Sequence, residues 1–231
     1  MTTFAPERPW LDPEAGRPAS SPARRLGSAW MAWRLRRAPV HPRVSATVQE
    51  AAQRYGVPAE LIASVLADEQ ARRNLLDVGQ DTALGFSLRA VPGRATALQQ
   101  QLERLSGRSV DTFSLGRAQM KPATLRRLGR LGYLEVPDDP DGQRRLLLDP
   151  AQAPHLVAAC LRATADHWAA RGVPILHRPE VLATLYSLGF TGARGVHPHP
   201  QASARGAAIA RHAAWLANRI DRTRSFTLGR G

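Results

Sequence analysis

Cysteine and lysine are nearly absent from this chain. Cys160 stands alone, in HLVAACLRA, so no internal disulfide can form and no stapled framework is available. A nucleophilic role would need a neighbouring histidine or other activator, which the sequence does not place; the expectation is a buried core thiol. Lys121 is the only lysine among 32 Lys and Arg residues. No apolar run approaches the ~20 residues that span a bilayer. Residues 1–30 lack the basic-then-apolar order of a secretory signal. The expectation is a protein made in the cytoplasm, which would act outside it only after lysis or by dedicated delivery. There is no internal repeat, no CxxC pair, no GxxxxGK and no HExxH, which removes the readings that depend on them.

What is present is arginine, concentrated at the ends. Residues 1–45 hold 8 Arg against 3 acids and residues 190–231 hold 7 Arg against 1, which leaves only +2 of the total +13 for residues 46–189. Basic ends suit attraction to a polyanion, whether nucleic acid, anionic lipid or an anionic envelope polymer, or to a delivery apparatus. A general preference for arginine over lysine accounts for the same numbers without any partner.

The 231 residues, 43% of them apolar, are enough for a proper core. Residues 1–44 read as an irregular basic arm, with a short helix over 28–35. SATVQEAAQRYG then reads as a helix stopped by Gly56, and VPAELIASVLADEQARR as a second helix with Pro58 in its first turn. Further helices are predicted over 95–105, 122–131, 153–171, 179–188 and 203–221. YLEVPDDPDGQRRLLLD is the one stretch with hairpin character, since Asp, Pro and Gly separate two apolar edges. The fold class is mostly α, with a basic tail over 222–231.

On a helical wheel at about 100° per residue, Leu61, Ile62, Val65 and Leu66 define a stripe centred near 70°, and Glu69 falls near 80°. The wheel therefore predicts a buried Glu69, with Asp68 and Arg72 toward one edge. A buried carboxylate tends to stay protonated, which is what a general acid needs to protonate a glycosidic oxygen. The competing expectation is a Glu that has left the core and pairs with Arg72 or Arg73.

Downstream, SLGRAQMKPAT (Ser114 to Thr124) sets Gly, Gln and Pro between apolar helical runs. A helix ending in Glu followed by Ser-x-Gly-x-x-Gln-x-x-Pro-x-Thr resembles the soluble lytic transglycosylases and goose-type lysozymes. LATLYSLGF is similar to that family's Tyr-Asn-x-Gly segment, with Tyr186 and Gly189 retained and Ser187 in the Asn position. The resemblance runs in order through residues 46–221. It implies a lysozyme-like helical domain over 45–221, with no metal or organic cofactor. It further implies cleavage of the β-1,4 bond between N-acetylmuramic acid and N-acetylglucosamine in peptidoglycan, with Glu69 as acid/base. Ser114, Gly116 and Gln119 would line the sugar cleft. The residues suit such a role. Gly116 would let backbone approach a saccharide, Gln119 offers donor and acceptor, and Tyr186 can stack on a sugar or donate to it. Three departures stand out: Gln70 replaces the family's Ser, Ser187 replaces its Asn, and the 45 residues from Glu69 to Ser114 imply an insertion over 74–112. Asp77, Asp81 and Asp111 are candidates for a second carboxylate, should the reaction be a hydrolysis.

Two other function classes fit parts of the chain. One is a lysozyme-fold cell-wall binder without activity. The other is a helix-turn-helix DNA-binding protein, from the spacing of Ala52, Gly56 and Ile62. Its outward positions would be Ala59, Glu60, Ala63, Ser64 and Ala67, none suited to reading base edges, so no nucleic-acid partner is expected. His197 and His199 lie in a Pro-rich loop with no third ligand in sequence. Arg126, Arg127 and Arg130 read as a solvated face, or as a site for the carboxylates of stem peptides.

Overall fold

Four of the helices begin at a proline: Pro42, Pro122, Pro140 and Pro179. Pro122, Pro140 and Pro179 each occupy the first turn of a helix, where a missing N–H costs nothing and the fixed φ is already helical. In the computed structural model the described residues are 42–72, 81–82, 84–85, 104, 107, 113–190, 192 and 195–228. They form seven named helices: α1 Pro42–Tyr55, α2 Ala59–Arg72, α3 Pro122–Arg130, α4 Pro140–Leu148, α5 Ala153–Ala169, α6 Pro179–Leu188 and α7 Ala204–Leu228. The chain is mostly α. Residues 42–44, expected as part of the irregular arm over 1–44, belong to α1; residues 1–41, with the helix expected over 28–35, and Asp77 and Asp111 lie outside the described residues. So does the 95–105 helix apart from Arg104, and most of the insertion.

Two compact units divide the chain, Pro39–Ala163 and Thr164–Gly231, and the division falls inside α5. In the first unit α1 packs on α2 and α3 on α4. α1 ends at Gly56, whose φ of 61° is the left-handed cap that glycine takes without a Cβ penalty. Val57 N then donates to Ala52 O at 3.3 Å, and the Val57 side chain is buried. The same closure ends α3, where Tyr133 N donates to Leu128 O at 3.0 Å. In the part of α5 that belongs to this unit, Leu156, Val157, Ala158, Ala159 and Leu161 are all buried. Cys160 lies within it, buried as expected.

The hairpin expectation over 133–149 is corrected: α4 occupies it. Asp139 and Pro140 are not the centre of a turn but the start of a helix. Asp139 Oδ1 accepts from Gly142 N at 2.6 Å, Pro140 follows it, and Leu147 is buried. The Asp-Pro pair serves as a helix cap because a carboxylate satisfies the open N–H groups of a first turn. Gln143 ties α4 to the preceding segment by donating from Nε2 to Pro137 O at 2.9 Å.

In the second unit α6 packs on α7. Trp168 Nε1 donates to Phe190 O at 2.7 Å, and both residues are buried. Ser203 caps α7, its Oγ accepting from Gly206 N at 3.0 Å. Its own N–H donates to Thr184 Oγ1 at 2.9 Å. α7 continues to Leu228, so residues 222–228, expected as part of an irregular tail, are helical. Among the described residues, no helix is long and apolar enough to cross a membrane.

Candidate functional site

The apolar stripe of α2 is as the wheel drew it: Leu61, Ile62, Val65 and Leu66 are all buried. Each such side chain contributes about 2 kcal/mol. The carboxylates are exchanged relative to expectation. Asp68 is 1% exposed, whereas Glu69 is only half-buried. Ser64 is fully buried as well, so the buried arc reaches round to Ser64 and Asp68, about 60° and 20° beyond Leu61 by the same spacing. Arg72 Nε donates to Asp68 Oδ2 at 2.9 Å. Arg72, one of the two partners expected for Glu69, is thus held by Asp68. Glu69 still points inward by angle, between Val65 and Ile62, yet keeps solvent access that they have lost.

The Ser-Gly-Gln segment is a closed turn. Leu115 and Met120 form an isolated antiparallel bridge, with Leu115 N donating to Met120 O at 3.0 Å and Met120 N to Leu115 O at 3.2 Å. Leu115, Ala118 and Met120 are buried; Arg117 and Lys121 are exposed and Ser114 is half-buried. Apolar alternation therefore anchors the turn, and Pro122 carries the chain directly into α3.

Gly116 is the centre of this turn. Its φ is 68°, and a side chain here would overlap the Leu147 carbonyl oxygen and come within 2.9 Å of its carbon. The glycine is therefore required by the chain's own packing, against the end of α4, rather than by the approach of a saccharide. Its carbonyl accepts twice from Gln119, from the backbone N at 3.2 Å and from Nε2 at 2.9 Å. Gln119 is the one non-glycine residue with positive φ among the described residues, at 47°. A left-handed L-residue costs roughly 1–2 kcal/mol, which the bridge and the side-chain bond offset. One donor of the Gln119 amide is thereby used inside the turn, and its Oε1 is the end left for a ligand. The Gly116 N–H donates to Asp81 Oδ2 at 3.2 Å, across 35 positions.

No family model, curated protein or solved structure matches the chain. The assignment of a site rests on geometry and on the residues themselves.

Asp81, Gly116 and Gln119 are thus brought together by direct hydrogen bonds within the first unit, which also contains Glu69 and Ser114. Tyr186 belongs to the second unit, half-buried in the last turn of α6. Beside it, Ser187 Oγ donates to Ala183 O at 3.4 Å, and Gly189 ends the helix with φ 97°.

Arg126 and Arg127 are half-buried, unlike the solvated face expected; Arg126 Nη1 donates to Gln143 Oε1 at 3.3 Å. Only Arg130 of the three is exposed. Ser64, expected outward on a DNA-reading face, lies in the core, which removes a polar group from that face. In the histidine loop, His199 N donates to His197 Nδ1 at 3.0 Å, so that nitrogen is an acceptor and the ring carries its proton, when neutral, on Nε2. Sequence reasoning missed the Asp68–Arg72 pair, the contact of Gly116 with Leu147 and the tie from Asp81 to the turn. A wheel averaged over all buried positions, polar ones included, would have found the first; no local signal carries the other two.

Proposed function

We propose that this chain is a peptidoglycan-cleaving enzyme of the lytic transglycosylase type, acting on the β-1,4 bond between N-acetylmuramic acid and N-acetylglucosamine. One observation carries the reading: Glu69, which helical spacing sets within the buried arc of α2, is only half-buried. A carboxyl group directed toward the core side yet open to solvent is where a reacting group belongs, because a substrate can reach it while apolar neighbours limit its hydration. The adjacent carboxylate does not compete for this role, since Asp68 is buried against Arg72. The order of Glu69 before the Ser114–Thr124 segment, and the constrained turn that presents Gln119, support the same assignment.

In this reaction Glu69 protonates the glycosidic oxygen as the bond from C1 of the muramoyl residue breaks. The resulting carboxylate takes the proton of the muramoyl 6-hydroxyl, whose oxygen bonds to C1 and closes a 1,6-anhydro ring. No water is consumed, and Glu69 ends in its starting state. Gln119, in the same unit as Glu69, is assigned to sugar binding. No metal or organic cofactor enters the scheme. The arginine-rich ends provide for contact with an anionic envelope polymer.

Mass spectrometry of soluble fragments released from purified peptidoglycan tests the proposal. Wild-type protein is expected to release anhydro-muropeptides and Glu69→Gln to release none. Reducing-end fragments would make the enzyme a hydrolase, and absence of any fragment from folded wild type would overturn the enzymatic reading.

A further inference from the structure

We infer that Asp81 is a positioning residue that sets the placement of Gln119 through Gly116; its role at the site rests on the peptidoglycan reading above. The connection is continuous. Asp81 Oδ2 accepts from Gly116 N at 3.2 Å, and the carbonyl of the same glycine accepts from the Gln119 side chain at 2.9 Å. All three groups belong to one unit. Gly116 is fixed from two independent sides: its N–H by Asp81, its Cα by close approach to the Leu147 carbonyl. The segment that brings Asp81 is itself anchored, since Leu84 is fully buried.

A carboxylate acceptor makes this bond charge-assisted and stronger than a neutral one. Polarisation adds to it through the Leu115–Gly116 peptide, whose N–H donates to Asp81 and whose carbonyl accepts from Met120 N at 3.2 Å. Asp81 was one of three candidates for a water-activating base. The bond it makes points to a structural role instead. Asp81 holds the turn in which the strained Gln119 backbone sits. Asparagine, which keeps an acceptor oxygen of the same reach, should do much of that work; alanine should do none.

The experiment uses the full chain, labelled with ¹⁵N, as wild type, Asp81→Asn and Asp81→Ala. Backbone amide exchange is read at Gly116, the side-chain NH₂ resonances are read at Gln119, and muropeptide release gives kcat, KM and a pH profile. In Asp81→Ala, exchange at Gly116 is expected to quicken by about tenfold or more and the Gln119 resonances to move, while α5 amides hold their protection. Activity should fall with the product still anhydro and the pH profile unchanged, and Asp81→Asn should recover most of it. Unchanged exchange at Gly116 in Asp81→Ala would overturn the inference. So would an Asp81→Asn protein as inactive as Asp81→Ala with Gly116 still protected, the behaviour of a catalytic base. A wild type that releases no fragments would remove the enzymatic reading alone, and exchange would still decide the tether.

Discussion

Replacing Gly116 by alanine isolates the contribution of one close backbone approach. Two costs follow from the structure. The φ of 68° places an L-residue in left-handed space, at roughly 1–2 kcal/mol. The added Cβ meets the Leu147 carbonyl, a backbone group that no rotamer change can withdraw. Relief requires the turn to move, and that movement surrenders the bond to Asp81, worth about 1.5–3 kcal/mol for a charged acceptor. The sum is about 2.5–5 kcal/mol, a large share of a typical domain's stability. Gly132 is the internal control: its φ is 77° and nothing lies within 4 Å of its added Cβ. Gly132→Ala therefore carries only the conformational cost, roughly 1–2 kcal/mol. Thermal unfolding followed by far-ultraviolet circular dichroism should show Gly116→Ala melting about 10 °C below wild type and Gly132→Ala only a few degrees below. Equal shifts for the two variants would refute the argument, because then only the dihedral angle would matter.

Gly206→Ala drives a methyl group into Thr184 Oγ1 and the Glu180 carbonyl; a loss of about 2–4 kcal/mol is expected, read by urea unfolding, and an unchanged midpoint would count against close α6–α7 contact. Tyr55 provides a pH-dependent case. Burial raises its hydroxyl above the ordinary value of 10.0, and the Arg54 guanidinium draws it partly back. With the folded value above the unfolded one, this group's stabilisation is complete below pH 10.0 and is lost as the pH rises through the folded value, since the unfolded chain ionises first. Tyr55→Phe should cost about 1 kcal/mol at neutral pH, through the lost donation to Tyr133 O. It should also flatten the alkaline decline, which unfolding curves on either side of pH 10.0 would detect.

Local chemistry was legible where the local chain decides the outcome. Gly56 stopped α1 and the Leu61–Leu66 stripe went inward because both depend on residues a few positions apart. The Asp139–Pro140 start of α4 was local too, but Asp, Pro and Gly are shared by turns and helix caps, and the apolar residues after them decide which forms. The carboxylates of α2 show a different failure. A wheel built from apolar positions alone could not weigh a buried Ser64 or an Asp68 compensated by Arg72, so it centred the inward face on Glu69. Within the turn, Gly116 was singled out for openness to a ligand and proved to be filled by Leu147. That partner lies 31 positions downstream, and no periodicity records such a distance.

The Leu115–Met120 bridge also governs how this segment can change. Both ends of the turn are sunk in the core, so one residue inserted or deleted between them would break the Leu115–Met120 pairing or pull one of the two from its buried position. Length is therefore frozen, while Arg117 and Lys121 project outward and take no part in the frame. Variation that retunes what the turn meets has those two positions in which to act, by exchange of side chains and never by change of loop length.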